Sequence, residues 1–252
     1  MSTECPRCHG TGFEIIEEDR GITRAVRCRC ERDGRGDRLL RAARIPRRYA
    51  HCDFDRFYPE PNNDSHERAL RVARDWVGLW PGVKHGLLFL GRPGTGKTHL
   101  AVAVVRELIR SKNARVLFYE QRELLKTLQG TFDATSGPRE SEVFEAIRQA
   151  EVLVLDDLGA GRTTAWARDV MHDIIAHRYN EEKLLVLTSN LRMEGGEAAS
   201  RRSRARPVDE PLTLRDRLGD ALLSRLYEMC EIITLEGEDY RIRIGQHSRD
   251  YL

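Results

Sequence analysis

The sequence predicts an α/β fold assembled on buried parallel strands, and three stretches predict it. Gly86-Leu-Leu-Phe-Leu-Gly91 is an apolar run that passes directly into Arg92-Pro93-Gly94-Thr95-Gly96-Lys97-Thr98-His99. Val152-Leu-Val-Leu is a second run, ending in Asp156-Asp157, and Leu184-Leu-Val-Leu is a third, ending in Thr188-Ser189-Asn190. Short unbroken apolar runs suit strands covered on both faces, and helix-period stretches between them supply the crossovers.

Along the chain, a small module over residues 1–50 precedes a large domain over 51–252. The module opens with Cys5-Pro-Arg-Cys8-His-Gly-Thr-Gly, a spacing that turns two thiolates toward one point. Cys28-Arg-Cys30 is the matching pair, and residues 14–26 between them read as two short strands around Asp19-Arg20-Gly21. Four thiolates at the base of a hairpin suit a tetrahedral zinc ion with no open position, hence a structural one. The module has too few apolar residues for a core, so metal would supply its folding free energy. His9 and Cys52 are substitute ligands; redox-active or free thiols are the other readings.

Residues 31–44 suggest a short helix ended by Ile45-Pro46, and a lead-in follows, from Arg47-Arg48-Tyr49 through Phe54-Asp55-Arg56-Phe57. Residues 67–80 carry Leu70, Ala73, Trp76 and Val77 at helical spacing, stopped by Pro81-Gly82. Next come the strand 86–91 and its glycine loop. Gly91, Gly96, Lys97 and Thr98 fit G-x-x-x-x-G-K-[ST], a loop whose glycines let backbone N–H groups close around a polyphosphate at a helix N-terminus. The whole stretch from Gly91 to His99 is thus the expected ATP-binding loop, with Lys97 on the β- and γ-phosphates and the Thr98 hydroxyl on Mg²⁺.

Arg115–Tyr119 reads as the next strand, followed by helices over 121–129 and 140–149 joined by a loop. Arg122 and Lys126 on the first helix form either a solvated face or a nucleic-acid contact. The run at 152–155 delivers Asp156 to a strand tip, where it can hold Mg²⁺, and Asp157 to orient or deprotonate the attacking water. Residues 164–180 form a helix with Val170, Ile174 and Ile175 inward. Asn190, ending the third run, is placed to sense that water or simply to shape a turn.

Residues 193–210, with Arg201-Arg202-Ser-Arg204-Ala-Arg206, read as a basic loop, and 214–229 as one amphipathic helix bearing Arg215, Arg217 and Arg225. Residues 231–235 and 240–244 then read as a closing hairpin around Gly237.

The charge is nearly balanced, 42 Lys+Arg against 40 Asp+Glu, so general nucleic-acid affinity is not expected; the arginines concentrate at 20–48 and 201–206. There is no apolar run of about 18 residues to span a membrane. With no apolar signal region at the N-terminus, six cysteines point to a cytoplasmic protein with metal or free thiols.

Gly96-Lys-Thr-His-Leu100, Asp156-Asp-Leu-Gly159, Thr188-Ser-Asn190, Arg217-Leu-Gly-Asp-Ala-Leu-Leu-Ser-Arg-Leu226 and Ile45-Pro-Arg-Arg-Tyr49 together resemble the DnaC/DnaI helicase-loader and IstB transposition-helper AAA+ ATPases. The resemblance covers residues 45–245 and implies a five-stranded parallel sheet in the order 5-1-4-3-2. It makes Arg225 the arginine finger that enters a neighbouring subunit, so that the protein self-associates, and Arg241 the sensor arginine of its own nucleotide. Some loaders carry a second arginine four residues before the finger; here that residue is Ala221. The cysteine module is similar to the zinc domain of DnaI-type loaders, which docks on the helicase. The expectation is an ATP-hydrolysing helicase loader of DNA replication, with ATP, Mg²⁺ and Zn²⁺ as cofactors and single-stranded DNA and a replicative helicase as partners. A transposition helper and a nucleotide-dependent scaffold with little turnover are the alternatives.

Overall fold

The computed structural model describes residues 5–9, 11, 13–18, 22–130, 140–161, 164–194 and 212–242, without the side chains of 17, 18, 22, 27 and 29–33. The expected loop of 131–138 and the basic run Arg201–Arg206 lie outside the described residues.

Strands β1 (Phe13–Glu18) and β2 (Ile22–Arg27) pair antiparallel, with Phe13 opposite Arg27 and Glu18 opposite Ile22. Helix α1 (Arg29–Ala42) follows at once, so Cys30 stands in its first turn. The lead-in makes two single 3₁₀ turns, Arg47–Tyr49 and Phe54–Arg56, the second capped by the Asp53 carboxylate accepting from Arg56 N–H.

Beyond it come α2 (Asp64–Leu79), β3 (Gly86–Gly91), α3 (Lys97–Glu107), β4 (Val116–Glu120), α4 (Gln121–Gly130) and α5 (Glu140–Gln149). A wider π turn, Leu108–Lys112, extends α3. The chain continues through β5 (Val152–Asp156), α6 (Ala165–Asn180), β6 (Leu184–Ser189), α7 (Leu214–Leu218), α8 (Asp220–Met229) and β7 (Cys230–Leu235). The five later strands form one parallel sheet, ordered β4-β5-β6-β3-β7. Numbered within the sheet and read from the other edge, this is the expected order 5-1-4-3-2.

Each strand's alternation splits the core in two. Leu87 and Phe89, Val152 and Val154, and Val186 face α2, α3 and the lead-in. Leu88 and Leu90, Leu153 and Leu155, and Leu185 and Leu187 face α4 to α8. Each such fully buried side chain contributes about 1.5–3 kcal/mol relative to exposure. The end of α1 and the lead-in belong to the first cluster: Ala43, which caps α1, and Cys52 and Phe57 are buried in it, and Ala43 O accepts from Phe118 N–H at 2.8 Å on the edge of β4.

Arg178, on α6, is fully buried and donates to the carbonyls of Ile147, Ala150, Glu151 and Leu184 at 2.7–3.1 Å. It fastens the end of α5 and the starts of β5 and β6 together beneath the sheet.

Two expectations are corrected. The single helix over 214–229 is two helices meeting at Gly219, whose φ of +84° is open to glycine but costly for other residues. Thr213 and Asp216 close a reciprocal capping box on α7, making it a separate short element. Among the described residues there is no closing hairpin. Residues 231–235 lie in β7, which joins the sheet parallel to β3, Gly86 opposite Cys230, and residues 240–242 form a helical turn. The Asp239 carboxylate accepts Arg241 N–H at 2.9 Å and so starts that turn in place of a second strand.

Candidate active site

The tips of β3, β5 and β6 bring the sequence-predicted groups to one place. β3 ends at Gly91, and Arg92 and Pro93 form the exposed rim of the loop. Thr95 Oγ1 and Lys97 Nζ both donate to the Arg92 carbonyl, at 2.9 and 2.7 Å. Tyr240 N–H donates to the Gly94 carbonyl at 3.2 Å, so the turn after β7 lies against the loop. Gly96 caps α3 with φ +94°, and a Cβ there would stand 2.6 Å from Phe57 Cε2; the lead-in therefore presses on the loop's base. His99 Nε2 donates to the Asp53 carbonyl at 2.8 Å, with its ring 5.6 Å from that of Phe57, which engages it with the lead-in.

Lys97 is 6 % exposed, and burial pushes its pKa down to about 8, partly countered by Asp157 and Asp156. Thr98 Oγ1 donates to Asp156 Oδ1 at 2.8 Å, joining the start of α3 to the tip of β5. Asp156 is buried, which raises its pKa; the hydrogen bonds from Thr188 and Thr98 oppose that rise. Asp157 sits just past the strand with φ +58°, and Asn190 Nδ2 donates to its Oδ1 at 2.6 Å. The charges of Asp239 and Arg241 both act on Lys97, so that turn lies beside the glycine loop.

Arg225 is not among these groups. It lies on α8 against α6, its guanidinium 5.7 Å from the Tyr179 ring and its Nη1 3.5 Å from His172 Nε2. In the hairpin module, the sulfurs of Cys5, Cys8 and Cys28 lie within 4.8 Å of one another, and Cys28 Sγ donates to Glu14 Oε1 at 2.8 Å. Cys52 is elsewhere, buried beside Phe57 with its thiol pushed up to about 11, and His9 is exposed. The Cys30 side chain lies outside the described residues.

Sequence reasoning missed two residues that shape the site. Thr188 Oγ1 donates to Asp156 Oδ1 at 2.7 Å and accepts Asp157 N–H at 2.9 Å. Gln121, buried at the start of α4, accepts Gly159 N–H on Oε1 at 2.7 Å. A polar residue that ends an apolar strand on the same parity as its inward side chains was the available signal for Thr188; none pointed to Gln121.

The model of the IstB-like ATP binding protein family matches residues 24–248, nearly the whole chain. The chain belongs to the IstB-like ATP-binding family. This IstB-like protein is 26 % identical over 250 residues to the phage-like element PBSX protein XkdC of Bacillus subtilis, covering 95 % of this chain and 85 % of that one. The replicative helicase loader DnaC of Escherichia coli K12 is 26 % identical over 190 residues, or 73 % of this chain and 75 % of that one. A crystal structure of the DnaC helicase loader superposes with a TM-score of 0.63 at 31 % identity, covering 75 % of this IstB-like chain and 99 % of that one. The IstB-like chain is thus a P-loop protein homologous to the DnaC helicase loaders, with their α/β sheet. Among its described residues no helix is long and apolar enough to cross a membrane.

Proposed function

We propose that this protein is an ATP-dependent helicase loader of DNA replication, which hydrolyses ATP and assembles with single-stranded DNA and a replicative helicase. The observation that carries the reading is the contact of Thr98 with Asp156 beside buried Lys97. Homology to the DnaC loaders, 31 % identical over nearly the full length of the solved one, supports the choice of partner.

The donors fit the expected ions. Asp156 is a buried carboxylate that accepts from the hydroxyls of Thr98 and Thr188, a set of oxygens that suits an oxygen-seeking Mg²⁺ held by Asp156 and Thr98. An ion held by these two residues would supply charge neutralisation for the triphosphate. Lys97 grips the same phosphates, backbone N–H groups from Gly91 to Thr98 cradle them, and Arg92, Pro93 and His99 frame the loop. Asp157, held by Asn190, orients the attacking water and takes its proton. Arg241 touches the nucleotide in its own subunit, and Arg225 completes a neighbour's site by stabilising charge on the transferring phosphoryl group. In the module, three converging thiols fit zinc, with Cys30 as the fourth ligand.

The family's IstB description favours a second reading, a transposition helper. Affinity capture with ATP, using the wild type and Lys97→Ala, tests both. Recovery of a replicative helicase with the wild type only supports the loader; recovery of a transposase replaces it. A protein that binds ATP tightly but releases no phosphate, with DNA and partner present, is a scaffold.

A further inference from the structure

In the segment after β5, the backbone N–H groups of residues 157–160 are all hydrogen-bonded. Asp157 N–H goes to Thr188 Oγ1, Leu158 N–H to the Thr188 carbonyl at 2.8 Å, and Ala160 N–H back to the Asp157 carbonyl at 3.1 Å. Ser189 Oγ adds a bond to the Leu158 carbonyl at 2.6 Å. All of these come from β6 or from the segment itself. Gly159 N–H is the exception, and it goes across to Gln121 Oε1 at 2.7 Å.

Gln121 is 4 % exposed, an uncharged polar side chain enclosed on the α4 side of β5. A buried amide is kept where its hydrogen bonds are made, and here the acceptor it supplies meets a buried donor two residues from Asp157. The next residue acts on the same segment: a Cβ on Gly161 would stand 3.0 Å from Arg122 Nε. The first turn of α4 thus bonds Gly159 through Gln121 and lies close to Gly161 through Arg122, while Asn190 and Thr188 hold 157 and 158 from the other side.

We infer that Gln121 is a positioning residue for hydrolysis, acting through Gly159 to set the Asp157 carboxylate against the attacking water. This rests on the assignment of Asp157 above. Without the acceptor, the segment keeps its bonds to β6, to Asn190 and within itself but loses its anchor on the α4 side, and the Asp157 carboxylate can shift toward β6. A carboxylate displaced by a fraction of an ångström still lets ATP bind but no longer meets the water in line.

The test compares two side chains of nearly equal length. Gln121→Met removes the acceptor; Gln121→Glu keeps one. Turnover number, affinity for a fluorescent non-hydrolysable ATP analogue, and melting temperature are measured for both and for the wild type. Gln121→Met is expected to lose about tenfold to a hundredfold in turnover number, with analogue affinity within about twofold of wild type, and Gln121→Glu to recover most of the loss. Unchanged turnover in Gln121→Met overturns the inference, as does parallel loss of analogue affinity and melting temperature, the mark of a structural role alone. If Gln121→Met does not fold, Gln121→Asn, polar but one methylene short of Gly159, makes the same comparison. Absence of turnover in the wild type itself, with Lys97→Ala as the blank, defeats the assignment of Asp157 instead.

Discussion

Thr188 donates its hydroxyl to Asp156 Oδ1 at 2.7 Å, and the same oxygen accepts the N–H of Asp157 at 2.9 Å. One side chain from β6 therefore fixes two consecutive acids, Asp156 at the tip of β5 and Asp157 just past it. Thr98 approaches the same Asp156 oxygen from α3, leaving Oδ2 the less engaged of the pair. Thr188→Val keeps the shape and removes both bonds. Because outer partners of a metal-binding carboxylate commonly matter this much, a loss of about tenfold to a hundredfold in Mg²⁺ affinity or turnover is expected. A Mg²⁺ titration of ATP-analogue binding, alongside steady-state hydrolysis, measures it.

Lys97 gives a pH dependence with a definite sign. Its pKa in the free protein is pushed down to about 8, so the ammonium is lost as pH rises through that value. Triphosphate binding favours the charged form. ATP affinity is therefore expected to fall above pH 8, and binding just above it takes up a proton. Calorimetry in two buffers of different ionisation enthalpy reads that uptake, which Lys97→Ala abolishes together with most of the binding. The same shift means that the unfolded chain holds more protons between pH 8 and the ordinary lysine range, so this group's contribution to stability improves as pH rises there.

Arg225 predicts complementation. Arg225→Ala is expected to bind ATP normally and lose stimulated hydrolysis, and Lys97→Ala to be inactive. Mixed together, the two should regain part of the turnover, because a Lys97→Ala subunit still offers a finger to a neighbour that binds ATP. Full activity of Arg225→Ala alone removes the finger assignment.

The cysteine trio predicts metal content. Purified protein should carry about one zinc per chain by the ligand count of structural sites. Cys8→Ser should lose it, with proteolytic cleavage of the hairpin module following. Mass spectrometry under native conditions gives the count, and metal-free protein with Cys5 and Cys8 open to alkylation contradicts it.

The parts legible in the sequence were those where one residue type has one physical use. Apolar runs marked β3, β5 and β6 because strands buried on both faces have no polar side to show, and phosphate-loop spacing and a strand-end acid singled out Lys97, Thr98 and Asp156, which the structure brings together. The order of the sheet was not in periodicity at all; it came through resemblance to a family. The break at Gly219 escaped because helical spacing continues across it, and only the backbone dihedral separates α7 from α8. The alternating residues after 239 looked like a strand, but a cap on Asp239 settles a local contest that alternation cannot. Gln121 was illegible because a glutamine opening a helix is ordinarily on the surface, and its partner lies 38 residues away.

β3, the strand that carries the glycine loop, is flanked by β6 and β7. Both neighbours are made long after it: Leu184 and Cys230 lie far downstream of Gly86. During synthesis this interior strand waits with both edges bare until most of the polypeptide has left the ribosome. Premature termination anywhere before β7 leaves one of those edges open to pairing with another chain. Shortened products should therefore clump rather than persist as half-competent ATPases, which protects any oligomeric assembly from being poisoned by fragments.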